Sequence, residues 1–311
     1  MWPSLVDFKP YIVTGLALGG VYALSGVGIV VLYRATGVLN LAFGAIGAMG
    51  ALISWTLINH HPGFPEWASY LVCILFGGAV TFVYGLVFGP PLAGRDPLVK
   101  AVGTLGLTLI LLGLMSYLWP PIGRTMTLPT SKPNYSYHLG FADVDITMTE
   151  IIGLAFGVAV TFGVAAFLRM TKLGTAMRAL ADDREITATL GVPVRRVEAA
   201  AWLGSGLLAG AAGLLLSDLV GLDAVNLTFL VISSLDAALI ARLRSLVATL
   251  FAALAVGLCT ALLTPITAWP SAANYQFSLS SYRGGAPFAI AIVTLLFLAR
   301  RRVVSVSRTD G

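Results

Sequence analysis

Asp236 is a carboxylate set inside a short apolar run, between VISSL and AALI. A charge at that depth in lipid costs about 3 kcal/mol or more unless it is paired or wet, so it reads as a proton or substrate-ammonium site or as a structural pair. Either role needs a partner, either pathway water or an arginine from another helix, because Arg242 lies at neither i+3 nor i+4. Asn40 sits early in another apolar run, where a lone amide must find a neighbouring helix or a passing solute. Both readings of Asn40 stand. Phe43 follows three residues on, nearly on the same helical face, and Gly44 and Gly47 open space beside it. The group predicts an apolar slot with one polar anchor. Thr104 and Thr108 are four apart, which suits solute contact or back-bonding to the i−4 carbonyl equally well.

Other chemistry finds little material. Cys73 and Cys259 each lie in an apolar run, and His60, His61 and His138 have no carboxylates at metal-ligand spacing, so neither a disulfide framework nor a metal site is expected. The chain contains no phosphate-cradling GxxxxGK[ST] run and no Ser/His/Asp or HExxH arrangement. No catalytic residue and no cofactor is expected. Any ATP hydrolysis must occur on another chain.

Composition says where such residues sit. Of 311 residues, 58% are hydrophobic and 11% charged, against roughly 25% charged in soluble domains. Apolar runs close to twenty residues recur at about 11–32, 38–58, 68–89, 98–119, 149–169, 199–217, 228–241, 246–264 and 286–299. The expected architecture is all-α, one polytopic transmembrane helix bundle over 1–311 with eight or nine spans, the seventh being short. Paired glycines four apart, Gly15/Gly19, Gly153/Gly157 and Gly206/Gly210, suit close helix contacts within lipid.

The net charge of +5 forms no single basic face, so nucleic acid is not the expected partner. Its distribution instead reads as topology. Lys172, Arg178, Arg184, Arg195 and Arg196 crowd the 170–198 loop, and Arg300, Arg301, Arg302 and Arg308 crowd the tail, so both are expected in the cytoplasm. Nine crossings satisfy both, place Arg34, Arg95, Lys100, Arg242 and Arg244 inside, and leave the N-terminus outside. The proline-broken stretch from Pro120 to Thr149 is expected as an extracytoplasmic loop, and 265–287, with Trp269 and Tyr282, as a second outer stretch.

The segment 171–198 is polar yet helical in period. Leu173, Met177 and Leu180 share one face, and Ile186 and Leu190 share another. Two short helices are predicted, the second capped by Asp182 with Glu185 as its capping-box partner, stopped by Gly191 and Pro193. A compact knob presented to the cytoplasm needs either a docking partner or a membrane surface to lie on.

Three motifs carry a resemblance. The knob reads GTAMRA from Gly174, then DDRE from Asp182, then ATLGV from Ala188; the N-terminal region reads GLALGGVYAL from Gly15 and YRATGVLNLAFG from Tyr33; span four reads TLGLTLIL from Thr104. Together they resemble the LivH-like branched-chain amino-acid permeases of ABC importers, in family order along nearly the whole chain. The resemblance implies a membrane-spanning permease subunit of a bacterial inner membrane, paired with a LivM-like second permease, cytoplasmic ABC ATPases and an extracytoplasmic binding protein. It implies that Gly174, Arg178, Asp182, Asp183, Glu185, Ala188 and Gly191 belong to the ATPase-coupling loop. Phe43 stands where the family commonly has His or Gln, and Ala241-Arg-Leu-Arg-Ser replaces a common Gly-Gly-x-Gly-Ser turn. The cargo is thus expected to be branched-chain or other hydrophobic amino acids, with small amides, urea-like compounds or aromatic acids as a rival class. A rival of another kind is a stand-alone secondary transporter using Asp236, for which no internal repeat is evident.

Overall fold

The architecture was taken from a computed structural model, which describes residues 5–267 apart from 62, 121–123, 127, 132–135 and 140–143, together with 289, 292 and 293. The expected ninth span is described only at 289, 292 and 293, and the arginine-rich tail lies outside the described residues.

Long apolar runs become helices because lipid leaves backbone groups no other partners. These are α1 (Leu5–Thr36), α2 (Phe43–His60), α3 (Glu66–Leu92), α4 (Pro97–Leu118) and α5 (Met148–Met170), followed by the short α6 (Lys172–Asp182) and α7 (Arg184–Thr189). The chain continues through α8 (Val194–Leu219), α9 (Ala224–Phe229), α10 (Val231–Ile240) and α11 (Leu246–Thr267). Six of these, α1, α3, α4, α5, α8 and α11, are long and apolar enough to cross a bilayer; α2, of 18 residues, is not among them, and the α9–α10 stretch is shorter. The expected seventh span is therefore two half-helices that meet at Leu230.

The segment between α4 and α5 contains strands: β1 (Ser136–Leu139) pairs antiparallel with β2 (Val144–Thr147). The alternating, β-branched Val144-Asp-Ile-Thr favours this small hairpin locally, so the fold is helical with one hairpin rather than purely α.

α1 runs through the centre, with Val21, Ala23, Leu24, Val27 and Val30 fully buried. It packs on α11 through Gly15 and Gly19, where an added Cβ would strike α11 backbone, and Gly157 of α5 rests on the Gly20 carbonyl. Gly206 and Gly210 of α8 meet α3 at Gly77 and Cys73 in the same manner. The three glycine pairs therefore all sit at helix contacts, where small residues let backbones approach and dispersion hold them.

The two ends of the bundle differ. Arg34, at the end of α1, donates to the Arg244 carbonyl before α11, and the α6–α7 knob packs at that end with Met177 and Leu180 buried against Val27, Val30 and Leu168. At the opposite end Trp119 donates to Thr56, Arg124 lies over Trp55, and the Asp218 carboxylate accepts from Leu128 N and Ser131 Oγ. The segment between α4 and α5 is thus pinned across the ends of α2 and α8, with Met126 and Leu128 inserted into the core.

Candidate translocation site

α1 stops because Gly37 adopts a left-handed conformation (φ +68°), with its N–H on the Tyr33 carbonyl at 2.7 Å, while Thr36 back-bonds to Leu32 and accepts from Val38 N. The next residues do not resume a helix until Phe43, although the hydropathy run predicts one from 38. A non-helical strap, 37–42, is the result. Asn40 folds back on it, its Oδ1 accepting from Ala42 N at 3.1 Å, while its Nδ2 has no partner among the described residues although the residue is only 2% exposed. Because the strap is not helical, the expected shared helical face of Asn40 and Phe43 is not formed.

Phe43 instead begins α2 and lines a narrow crevice with Gly44, Gly47, Ser25, Ala209 and Ser234 among others, with an empty volume of about 270 Å³. Gly44 and Gly47 open little room beside it. A Cβ on Gly44 would run into the Thr228 carbonyl, and one on Gly47 into the Ala209 carbonyl and Gly213. The slot therefore lies between α1, α2, α8 and α10, floored by backbone. Ser234 is a polar group that sequence reading missed: it is 1% exposed, its hydroxyl lacks a partner among the described residues, and it lines the crevice together with Ser25 and Phe43. The signal was present, since a Ser-Ser pair stands in an apolar run two residues before Asp236.

Asp236 is 1% exposed and its Oδ2 has no hydrogen-bond partner among the described residues. It is not part of the crevice lining. Thr104 also departs from the solute-contact reading. Its hydroxyl shares its proton between the Leu39 and Ala101 carbonyls, each at 2.9 Å, and accepts from Leu41 N at 3.2 Å, so it touches the strap from α4 on both sides of Asn40. Thr108 back-bonds to the Thr104 carbonyl at 3.1 Å.

At the knob, Thr171 caps α6 by accepting from Gly174 N, and Gly174 is pressed against Phe167 and Leu168 backbone. α7 is capped by Asp183, whose Oδ1 accepts from Ile186 N at 2.9 Å, and not by Asp182, which ends α6. The frame shifts by one residue, so Glu185 falls at the second position of α7 and forms no capping box. Gly191 is left-handed at φ +81°, as expected of the stop. Arg178 lines a crevice with Arg34 on the inner face of the knob, whereas Asp182, Asp183, Glu185 and Ala188 are exposed. Ile186 and Leu190 stand out at 59% and 77% exposure.

A polytopic helical bundle with a crevice between its central helices and a folded knob at one end is an architecture that a membrane transport subunit can use. Residues 11–299 match the family described as branched-chain amino acid transport system / permease component, and the chain belongs to that family. It is 24% identical over 269 residues to BraD of Pseudomonas aeruginosa, a high-affinity branched-chain amino acid transport system permease protein, covering 83% of this chain and 87% of that one. LivH of Escherichia coli K12 is 24% identical over 310 residues, 96% of each chain. LivM of the same organism is 26% identical over 236 residues, 69% of this chain and 53% of that one. The chain is a LivH-like multi-pass permease and not an enzyme, with ATP hydrolysis on a separate chain.

Proposed function

We propose that this permease carries branched-chain or other hydrophobic amino acids inward through a bacterial inner membrane. They are delivered by an extracytoplasmic binding protein and driven by two cytoplasmic ABC ATPases. A LivM-like second permease completes the pore, a pairing supported by the match of this chain to both LivH and LivM proteins. In this reading the knob end is cytoplasmic, the N-terminus is outside, and the span expected at 286–299 makes the ninth crossing. ATPase closure moves the 171–198 knob as a rigid body, and the bundle alternates its access around the Phe43 crevice.

The observation that carries the reading is the knob itself. It is buried against α1 and α5 on one side and presents Ile186 and Leu190 bare on the other, as a docking element would. Asn40, Phe43, Gly44, Thr104 and Asp236 are assigned to the pathway or its supports, and Gly174, Arg178, Asp182, Asp183, Glu185, Ala188 and Gly191 to coupling. Co-expression with the cognate ATPases, second permease and binding protein, followed by ATP-dependent uptake of leucine into proteoliposomes, tests the machine. Uptake without ATP, or no retained ATPase, would sink it. Phe43 in the crevice favours a second cargo class, small amides or aromatic acids, since an aromatic wall without a charged group suits a neutral or flat solute. Titrating the binding protein with amino acids, amides and aromatic acids separates the two.

A further inference from the structure

Lys100 is a lysine 8% exposed at the first turns of α4, where burial of an ammonium is unfavourable unless something offsets it. Its Nζ lies 3.5 Å from the carbonyl of Thr36, the last residue of α1, where the negative end of the helix dipole sits. One turn on, Thr104 holds Leu39 and Leu41. A single face of α4 therefore grips the start and the middle of the strap that leads from α1 to Phe43. Lys100 also interacts electrostatically with Glu198 of α8 and with Arg184 of the knob, and these two form an ion pair at 2.5 Å. Glu198 therefore holds Arg184 of the knob directly and attracts Lys100 at longer range, while Arg184 repels Lys100.

We propose that Lys100 is a positioning residue that couples the knob to the strap, with Glu198 passing between Arg184 and Lys100 as the knob moves. The proposal rests on the permease reading above. When Arg184 is drawn away with α7, the Glu198 carboxylate loses its nearer cation and draws the Lys100 ammonium from the Thr36 carbonyl. The inner anchor of the strap then loosens while Thr104 still holds its middle. Asn40 and the start of α2 at Phe43 are free to shift, and the crevice changes shape at the far end of a short chain of contacts. In this proposal the two states are Glu198 paired with Arg184, as the structure has it, and Glu198 paired with Lys100, which is the two-state device that a coupling claim requires.

Two measurements test this, one of them independent of transport. In the purified chain in nanodiscs, hydrogen–deuterium exchange is followed over residues 37–42, whose Gly37, Val38, Leu41 and Ala42 amides are all hydrogen-bonded. Arg184→Ala should raise strap exchange several-fold although Arg184 does not touch the strap, whereas the exposed Arg195→Ala should leave it at the wild-type level. Equal exchange in all three proteins overturns the proposal. In the reconstituted complex, Lys100→Met should lower leucine uptake about ten-fold relative to ATP hydrolysis, and Lys100→Arg should restore most of it. Uptake and hydrolysis falling together, or neither changing, rejects a coupling role. Should the wild-type complex take up no leucine, the cargo reading fails and the exchange measurement still decides the role of Lys100.

Discussion

Two consecutive non-glycine residues, Arg242 and Leu243, take left-handed backbone angles, each with φ 55°, in the turn between α10 and α11. The turn is forced by its hydrogen bonds, from Arg242 N to Leu239 O and from Leu243 N to Ala238 O, both 2.8 Å, which close the end of α10. A side chain in that region crowds its own carbonyl and costs about 1–2 kcal/mol per residue. Glycine lacks the Cβ that causes the clash, which gives a physical reason for the glycines that LivH-like permeases commonly carry in this turn. Arg242 is exposed, so removing its side chain empties no core. Arg242→Gly should therefore stabilise the chain by about 1 kcal/mol net of the extra backbone entropy of glycine, read as a higher unfolding midpoint in detergent. A lower midpoint would mean that the arginine is held by an interaction worth more than the strain.

At the scale of elements, the strap is where sequence and structure part company. The apolar run from Val38 to Ile58 reads as one span because hydropathy averages over residues and is blind to how the backbone is hydrogen-bonded. The stop was written in Thr36-Gly37 and the local turn in Asn40, which are ordinary capping and turn chemistry hidden inside a hydrophobic window. The knob was legible down to its two helices and its glycine stop, because its period-3.6 pattern stands in a polar background. Its cap fell one residue off because Asp182 and Asp183 are chemically equivalent and only the backbone, extended at Asp183 (φ −152°), distinguishes them. The crevice was half legible: Phe43 and Gly44 line it, but its Ser25 and Ser234 walls come from helices far apart in sequence. Thr104 is the test of the strap as an element. Thr104→Val keeps the shape and removes the hydroxyl shared by Leu39 and Leu41, and should cost about 1–3 kcal/mol. Thr108→Val, which loses only a back-bond, should be nearly neutral. If the two variants unfold at the same midpoint, the Thr104 hydroxyl does not hold the strap in place.

For the whole molecule, orientation and docking are one question, since a knob on the wrong side of the membrane docks nothing. Arg34, Lys100, Arg244 and the knob share one end, and Asp218, Trp55 and Trp119 share the other, so two labels settle the side. With Cys259, the exposed thiol, replaced by serine, Tyr137→Cys should react with a membrane-impermeant thiol reagent in intact cells and Arg196→Cys should not. Reversed labelling would overturn the topology.

Docking then turns on the bare face of the knob. Ile186 and Leu190 lie one turn apart on α7 and its C-terminal cap, and both side chains are mostly in solvent. Apolar groups held out by a helix that is firmly capped at Asp183 and stopped at Gly191 contribute little to the fold of this chain. Exposed substitutions of this kind change stability by no more than about 0.5 kcal/mol. Ile186→Asp/Leu190→Asp should thus insert and unfold as the wild type does, yet lose the ATPases on co-purification and with them ATP-dependent uptake. Gly191→Val should act by another route, because a β-branched residue resists φ +81°; it should distort the knob and lower the unfolding midpoint as well as uptake. The contrast separates an interface from a scaffold. If the doubly substituted knob retained its ATPases and transported at the wild-type rate, the face would be a membrane-surface helix, and the coupling role assigned to residues 171–198 would fall.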